Sequence, residues 1–256
     1  MVRKSSERRE QIMALLEDRQ QMSVEALSDY FDTSEVTIRK DLTRLEEKGL
    51  LIRRYGGASL LPHESTSQKG PTAIKQRIAE AARQRIRDHA RIVVDCGSTT
   101  SAMIPELKDI LGLVVMTNSL EIATQLCELP NHPSLLMTGG TWDERSMSFQ
   151  GNNAEQTLRS YDFDQFFVGA DGIDIERGST SFKELLRLSQ VMAEVSREVI
   201  VMAEADKIGR RMPNLELSWG DIDVLITDDR ILPQDIQNIK DNGVEVVVIE
   251  YVESNG

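Results

Sequence analysis

Along the first 60 residues the apolar positions recur at helical spacing, and beyond residue 70 they gather into short β-branched runs. Ile12, Leu15 and Leu16 share one face of a helix expected over 8–18. Ser23 is a good N-cap for a second helix whose apolar stripe is Val24, Leu27 and Phe31. A three-residue turn, Asp32-Thr33-Ser34, leads into a third helix. There Ser34 is placed to cap, Ile38, Leu42 and Leu45 form a buried seam, and Gly49 is a left-handed stop. The next stretch, LLIRRYGGA over 50–58, has two β-prone segments around a basic, glycine-containing tip, the pattern of a wing. Residues 1–60 thus read as a winged helix-turn-helix.

The pattern breaks at 61–72, where Pro, Ser, Thr and Gly replace apolar residues, and this segment reads as a linker. From 73 to 256, apolar runs at 91–95, 113–117, 134–138, 165–169, 199–202, 223–227 and 244–249 alternate with helical stretches. Such alternation predicts βαβ units, hence an α/β domain with a mainly parallel sheet.

Composition changes this picture little. No apolar run reaches the roughly 18 residues a membrane span needs, and no apolar segment follows the basic N-terminus as in a secretory signal. A cytoplasmic protein is expected. Two cysteines, Cys96 and Cys127, are too few for a disulfide framework or a zinc site, and both are expected as buried thiols. Neither a metal nor a cofactor is called for.

Charge matters more. The net charge of −12 argues superficially against a nucleic-acid partner, but residues 1–60 hold 11 basic and 11 acidic groups. The remainder carries the whole excess. Phosphates respond to charges within a Debye length of about 8 Å, so a locally neutral head on an acidic body can still bind DNA.

On the third helix, Val36, Thr37, Lys40 and Arg44 point away from the seam, and Arg39 lies between the faces. Lys and Arg reach phosphates or guanine, hydroxyls donate, and Val36 can touch a thymine methyl. Ser34 joins this surface at the turn, and Arg53, Arg54 and Tyr55 extend it onto the wing, where the arginines can track phosphates or enter the minor groove. Each cation alone is more simply a solvated surface charge; the conjunction of tight turn, cationic face and basic wing singles them out.

In the second domain the polar, glycine-bearing segments fall where strands end. Asp95, Gly97, Ser98, Thr99 and Thr100 follow the first run, Asn118 and Ser119 the second, Gly139 and Gly140 the third. Backbone N–H groups, hydroxyls and a helix start make an anion cradle there, although Ser and Thr also cap helices for structural reasons alone. Open α/β sheets bind ligands at the carboxyl ends of their strands. Asp171 and Asp174 end a fourth run, and Lys207 follows a fifth.

The stretch SVEALSDYFDTSEVTIRKDLTRLEEKGLLIRRYGGA closely resembles the DNA-binding signature of the DeoR family of sugar-metabolism regulators, with Tyr55 where many members have histidine. The resemblance continues through 73–256 and implies a sensor domain of the ribose-5-phosphate isomerase/CoA transferase type. It implies that Gly97, Ser98 and Thr99 hold a phosphate with help from Asn118 and Ser119, and that Asp171, Glu184 and Lys207 are polar pocket residues. Where many members read D-S-S-K-F-G, this chain reads Glu204-Ala205-Asp206-Lys207-Ile208-Gly209, which places a carboxylate, Asp206, where a hydroxyl is usual. The blocks MTNSLEIATQLCEL, TGGTWDERSMSFQG and FVGADGID resemble most closely the members that govern glucitol (sorbitol) operons.

The resemblance implies a non-enzymatic repressor of a sugar or polyol operon, a double-stranded DNA operator, and a phosphorylated sugar or polyol effector, glucitol 6-phosphate being one candidate. A homo-oligomer, dimer or tetramer, is expected because one winged helix buries only about 600–1,000 Å² on DNA. The competing reading is a sugar-phosphate isomerase with a DNA-binding head, using Asp171, Asp174 and Glu184 as acid and base.

Overall fold

The computed structural model describes residues 8–9, 11–16, 21–46, 51–54, 57–60, 71–144, 146–181 and 186–251. The chain divides into two compact units, Met1–Ser67 and Gln68–Gly256. Gly49, Tyr55, Glu184 and most of the expected linker lie outside the described residues.

In the first unit, residues 8–9 and 11–16 are helical, followed by helices Val24–Tyr30 and Glu35–Glu46. Ser23 caps the second helix as expected, its hydroxyl accepting from the Ala26 N–H at 3.0 Å. Ile12, Leu16, Leu27, Ile38, Leu42 and Leu45 make one small core with Val24, Leu51 and Ala58. The wing strands are β2 (Leu51–Arg54) and β3 (Gly57–Leu60), but a further strand, β1 (Gln21–Ser23), pairs with β3 and makes the sheet three-stranded, in the order β1-β3-β2. Gly57 is where this becomes possible. A Cβ there would meet the Met22 carbonyl at 2.4 Å.

In the second unit all seven expected runs form one parallel sheet: β4 (Arg91–Val94), β5 (Val114–Thr117), β6 (Ser134–Met137), β9 (Phe163–Gly169), β12 (Ser196–Met202), β14 (Val224–Asp228) and β15 (Glu245–Ile249). Their order is β15-β14-β12-β9-β4-β5-β6, with every pairing parallel. Alternate residues feed two cores, one on each face. Val93, Met116, Phe166, Val168, Val201 and Leu225 face one way. Ile92, Val94, Val115, Phe167, Ile200 and Ile226 face the other, against Ile78 and Ala82 of helix Ala73–Arg83. Both faces being covered explains why the strands read as continuous apolar runs.

Five short strands lack such a signal. β7 (Thr141–Asp143) and β8 (Ser148–Gln150) form a hairpin, while β10 (Gly172–Asp174), β11 (Gly178–Ser181) and β13 (Asn214–Ser218) form a small antiparallel sheet. The expectation of two buried thiols fails in part. Cys127 is exposed at the last turn of helix Leu120–Cys127 and Cys96 is half-buried.

The topology positions the candidate site. From β4 the chain winds outward to β5 and β6, returns to lay β9 beside β4, then winds outward the other way. The switch point, between β4 and β9, is where open α/β sheets leave a crevice at the carboxyl edge.

Candidate DNA-reading surface and effector site

Helix Glu35–Glu46 buries Ile38, Leu42 and Leu45, so the opposite face must carry whatever chemistry it has. Val36, Arg39, Lys40 and Arg44 are exposed there, Val36 by 62%. Such an apolar side chain beside two cations suits contact with a thymine methyl. Arg39 pairs with Glu35 one turn away at 2.9 Å, an exposed i,i+4 pair that leaves it on the flank. The hydroxyls of Ser34 and Thr37 bond each other at 2.9 Å, and Ser34 also accepts the Thr37 N–H. They build the helix start before they can touch anything else. Arg53 and Arg54 lie on β2, in the expected wing.

Asp41 is a residue whose role sequence reasoning missed. It is buried on the seam side and accepts from Arg8 at 2.6 Å and Arg9 at 3.4 Å. The reading helix is thereby fastened to the first helix by a charged cluster, and the two arginines, which could pass for DNA contacts, are committed to the fold.

At the carboxyl edge of the large sheet, Asp95 is buried at the end of β4, and its backbone N–H donates to the Phe167 carbonyl of β9 at 3.0 Å, across the switch point. Gly97 opens a helix of only four residues, Ser98–Ser101. So short a helix supplies individual N–H groups rather than the macrodipole expected from a long one. Thr100 closes this turn, its hydroxyl within 2.8 Å of the Asp95 carbonyl and 2.9 Å of that of Gly97.

Five buried side-chain atoms have no hydrogen-bond partner among the described residues, and two of them, the Thr99 hydroxyl and the Asn118 Nδ2, belong to the segments that follow β4 and β5. The Asn118 side chain is held by its other end, Oδ1 accepting the Cys96 N–H at 3.1 Å. Its donor is therefore fixed in orientation and unsatisfied. Ser119, by contrast, caps helix Leu120–Cys127 and accepts from the Ile122 N–H at 3.3 Å.

The cation of this cluster was not legible in sequence. Lys75, in the first turn of helix Ala73–Arg83, donates to the Ser98 hydroxyl. Glu204, at the end of β12, was also missed. Its carboxyl is pushed above the ordinary range, chiefly by burial and further by the Asp206 charge, against the opposing pull of Lys75, Lys207 and Arg230. Asp206 itself is more than half exposed and bonds Arg210 at 3.1 Å, so the unusual carboxylate of the E-A-D-K stretch is paired with a half-buried arginine. Lys207 ends the single turn Ala205–Lys207, which Asp228 holds by accepting the Ala205 N–H at 2.8 Å.

Gly139 and Gly140 both have positive φ, 64° and 109°. A Cβ on Gly140 would meet the Gln150 carbonyl at 2.5 Å, so this glycine lets the hairpin close over its own base. Asp171 accepts from Ser181 at 2.6 Å. Asp174 is fully buried, accepts from Arg177 at 2.7 Å and the Glu176 N–H at 3.0 Å, and is ion-paired with Arg211 at 3.2 Å. Burial alone would raise its pKa, but these donors hold it below the carboxylate range. A general acid needs the reverse. Asp174 is thus a turn anchor and a poor member of the acid–base set an isomerase would require.

A two-part chain with a helix-turn-helix head and a polar strand-end cluster on an α/β body has the form of a ligand-responsive transcription regulator. The DeoR-like helix-turn-helix domain matches residues 8–64 and the DeoR C terminal sensor domain matches residues 71–229, and the chain belongs to the DeoR family of transcriptional regulators. It is 36% identical to a protein provisionally named as an aga operon transcriptional repressor of Escherichia coli O157:H7, across 96% of this chain and 94% of that one. It is 34% identical to the regulator GlpR of Haloferax volcanii, across 94% and 97%, and 30% identical to the repressor AccR of Agrobacterium fabrum, across 88% and 90%. Among solved structures, a ribose 5-phosphate isomerase from Methanocaldococcus jannaschii is similar over 52% of this chain and 53% of that one, at 17% identity and a TM-score of 0.38. That likeness is too slight to bear on function. These relatives carry the names of regulators, not of enzymes, and none of the three is named for glucitol.

Proposed function

We propose that the chain is a cytoplasmic repressor of a sugar or polyol catabolic operon, released from its operator by a phosphorylated effector. The head reads double-stranded DNA through Val36, Lys40 and Arg44, with Arg39 and the wing residues Arg53, Arg54 and Tyr55 along the backbone. It works as a homo-oligomer, one head per operator half-site. The effector's phosphate lies against Ser98, Thr99, Asn118 and Lys75, and its hydroxyls reach toward Asp171, Glu184, Glu204 and Lys207. Glucitol 6-phosphate is the specific effector we put forward.

The observation that carries this reading is the pair of buried, unpartnered donors, Thr99 Oγ1 and Asn118 Nδ2. Leaving a buried polar group unsatisfied costs about 1–3 kcal/mol, a cost that persists only where something else offsets it. A phosphate, whose oxygens accept and which carries charge, would satisfy both donors at a place where Lys75 already stands. Titration calorimetry on the full chain tests this directly. Glucitol 6-phosphate should bind saturably and glucitol at least about 10-fold more weakly, since charge-assisted hydrogen bonds contribute about 1.5–3 kcal/mol each. If another sugar phosphate binds and glucitol 6-phosphate does not, the effector is renamed. If phosphorylated and free forms bind alike, the site assignment is wrong.

A further inference from the structure

The reading helix begins with an acid. Glu35 is its first residue, is exposed, and lies one turn before Arg39 on the same flank, beside Val36. The other two carboxylates of this helix are placed differently. Asp41 is buried and taken by Arg8 and Arg9, and Glu46 stands at the far end, only partly exposed. Among the described residues of the helix, Glu35 is thus the one fully surface-placed carboxylate beside the cations.

In a helix-turn-helix the residues that reach base edges come from the N-terminal end of the recognition helix. A carboxylate at that end is repelled by a polyanion unless the base beneath it donates. Cytosine presents a donor, its N4 amino group, and no acceptor in the major groove, and Glu and Asp accept from it. The Arg39 pair sets how the acid behaves. In the free protein Arg39 Nη2 donates to Glu35 Oε2 at 2.9 Å, so the two charges offset each other. When Arg39 turns to a phosphate, the carboxylate it leaves is stranded beside the groove. A cytosine amino group satisfies it there, whereas guanine O6 and thymine O4 repel it. Selectivity of this kind comes as much from penalising wrong partners as from favouring the right one. A first-turn acid also favours the helix dipole, by an amount that exposure and salt keep small. That role predicts a change in stability and none in sequence preference.

We propose that Glu35 is a specificity-determining residue of the DNA-reading surface, accepting from the N4 amino group of a cytosine in each operator half-site and disfavouring other bases at that position. The inference rests on the reading of helix Glu35–Glu46 as the element that enters the major groove, and adds to it one base and the residue that selects it. Arg39 is the counter-charge that keeps this acid from being a burden until DNA is met.

The test is selection of bound sequences from a pool of randomised duplexes by the full chain, wild type against Glu35→Gln, circular dichroism confirming the fold of each. Wild type should enrich cytosine at one position of each half-site. In Glu35→Gln the preference at that position should fall at least about 5-fold, the lower bound for a good contact between a side chain and a base, while neighbouring positions keep theirs. A variant that enriches the same cytosine as strongly as wild type overturns the proposal. So does a loss of preference spread evenly over all positions, which would mark a purely structural role. Loss at a position where wild type favours a base other than cytosine overturns the cytosine assignment. A wild type that enriches no sequence overturns the reading of the head as well. Should Glu35→Gln misfold, wild type is titrated with the enriched duplex carrying N4-methylcytosine, which keeps the pair with guanine and replaces the groove-facing N–H by a methyl group. Affinity should then fall at least about 5-fold, and unchanged affinity overturns the proposal.

Discussion

On the reading proposed above, the head and the sensor both meet phosphate, yet they do so with opposite physics. On the helix Glu35–Glu46 the cations Arg39, Lys40 and Arg44 are exposed, and no buried unpartnered donor accompanies them among the described residues. At the carboxyl edge of the large sheet the donors are buried, that of Asn118 is oriented by the bond its Oδ1 accepts, and one lysine donates to the Ser98 hydroxyl. Exposed cations give attraction that is strong at a distance and weakened by salt, because binding DNA releases its counterions. Buried donors give little attraction at a distance and much discrimination on contact, because a ligand that cannot accept from them leaves them unsatisfied. The difference suits a regulator that must find one long polyanion quickly and one small anion selectively.

The largest expected effect lies in the head. Lys40→Ala with Arg44→Ala should weaken operator binding by roughly 30-fold or more, taking about 1–3 kcal/mol for each base or phosphate contact, and should leave the fold and effector binding intact. Fluorescence anisotropy with an upstream fragment reads it, and unchanged affinity would mean the reading face lies elsewhere. Salt sharpens the contrast. Between about 50 and 200 mM salt, operator affinity should fall by orders of magnitude, whereas effector affinity should change only a few-fold.

A smaller effect is expected from acid. Asp174 has its pKa lowered in the folded chain, so the stability it contributes is present above the usual carboxylate value of about 3.9 and disappears as pH falls below it. Asp174→Asn should cost about 1.5–3 kcal/mol at pH 7, read by urea unfolding, and the gap from wild type should narrow as pH falls below the usual carboxylate value. A gap independent of pH would show that Arg177 and Arg211 do not hold the carboxylate. The smallest effect is the most diagnostic. Thr99→Val keeps the shape and deletes the unpartnered hydroxyl, so it should leave stability unchanged or raise it by up to about 1 kcal/mol, while effector affinity falls at least about 10-fold. Lower stability with unaltered affinity would make Thr99 a structural residue.

Much of this molecule was legible in its sequence, for a definite reason. Strands such as Ile92-Val93-Val94 and Val199-Ile200-Val201 are buried on both faces, so they had to be apolar throughout and stood out. The strands that escaped notice, Gln-Met-Ser, Thr-Trp-Asp, Ser-Phe-Gln, Gly-Ile-Asp, Gly-Ser-Thr-Ser and Asn-Leu-Glu-Leu-Ser, are three to five residues long, too short for a period to show. Within the site, the Gly97–Thr100 turn and Asn118 were visible because polar and glycine residues interrupt an apolar run where a strand ends. Lys75 was not. It lies 23 residues before Ser98 on an amphipathic helix, where a lysine is unremarkable, and only the packing of that helix over the sheet brings it to the turn. Cys127 failed for a similar reason, since its place in a half-apolar helix of eight residues does not reveal which side is covered.

The central claim is that a phosphate at the strand ends controls DNA binding by the head. It is tested by titrating the upstream operator fragment with wild type and with Lys75→Met, each with and without saturating glucitol 6-phosphate and other sugar phosphates. We expect both proteins to bind the bare operator equally. A phosphorylated effector should weaken wild-type binding by about 5- to 150-fold, the range of a typical coupling free energy of about 1–3 kcal/mol, and leave Lys75→Met unmoved at the same concentration. If both proteins respond alike, or if no phosphorylated compound moves wild type, the strand-end cluster is not the switch.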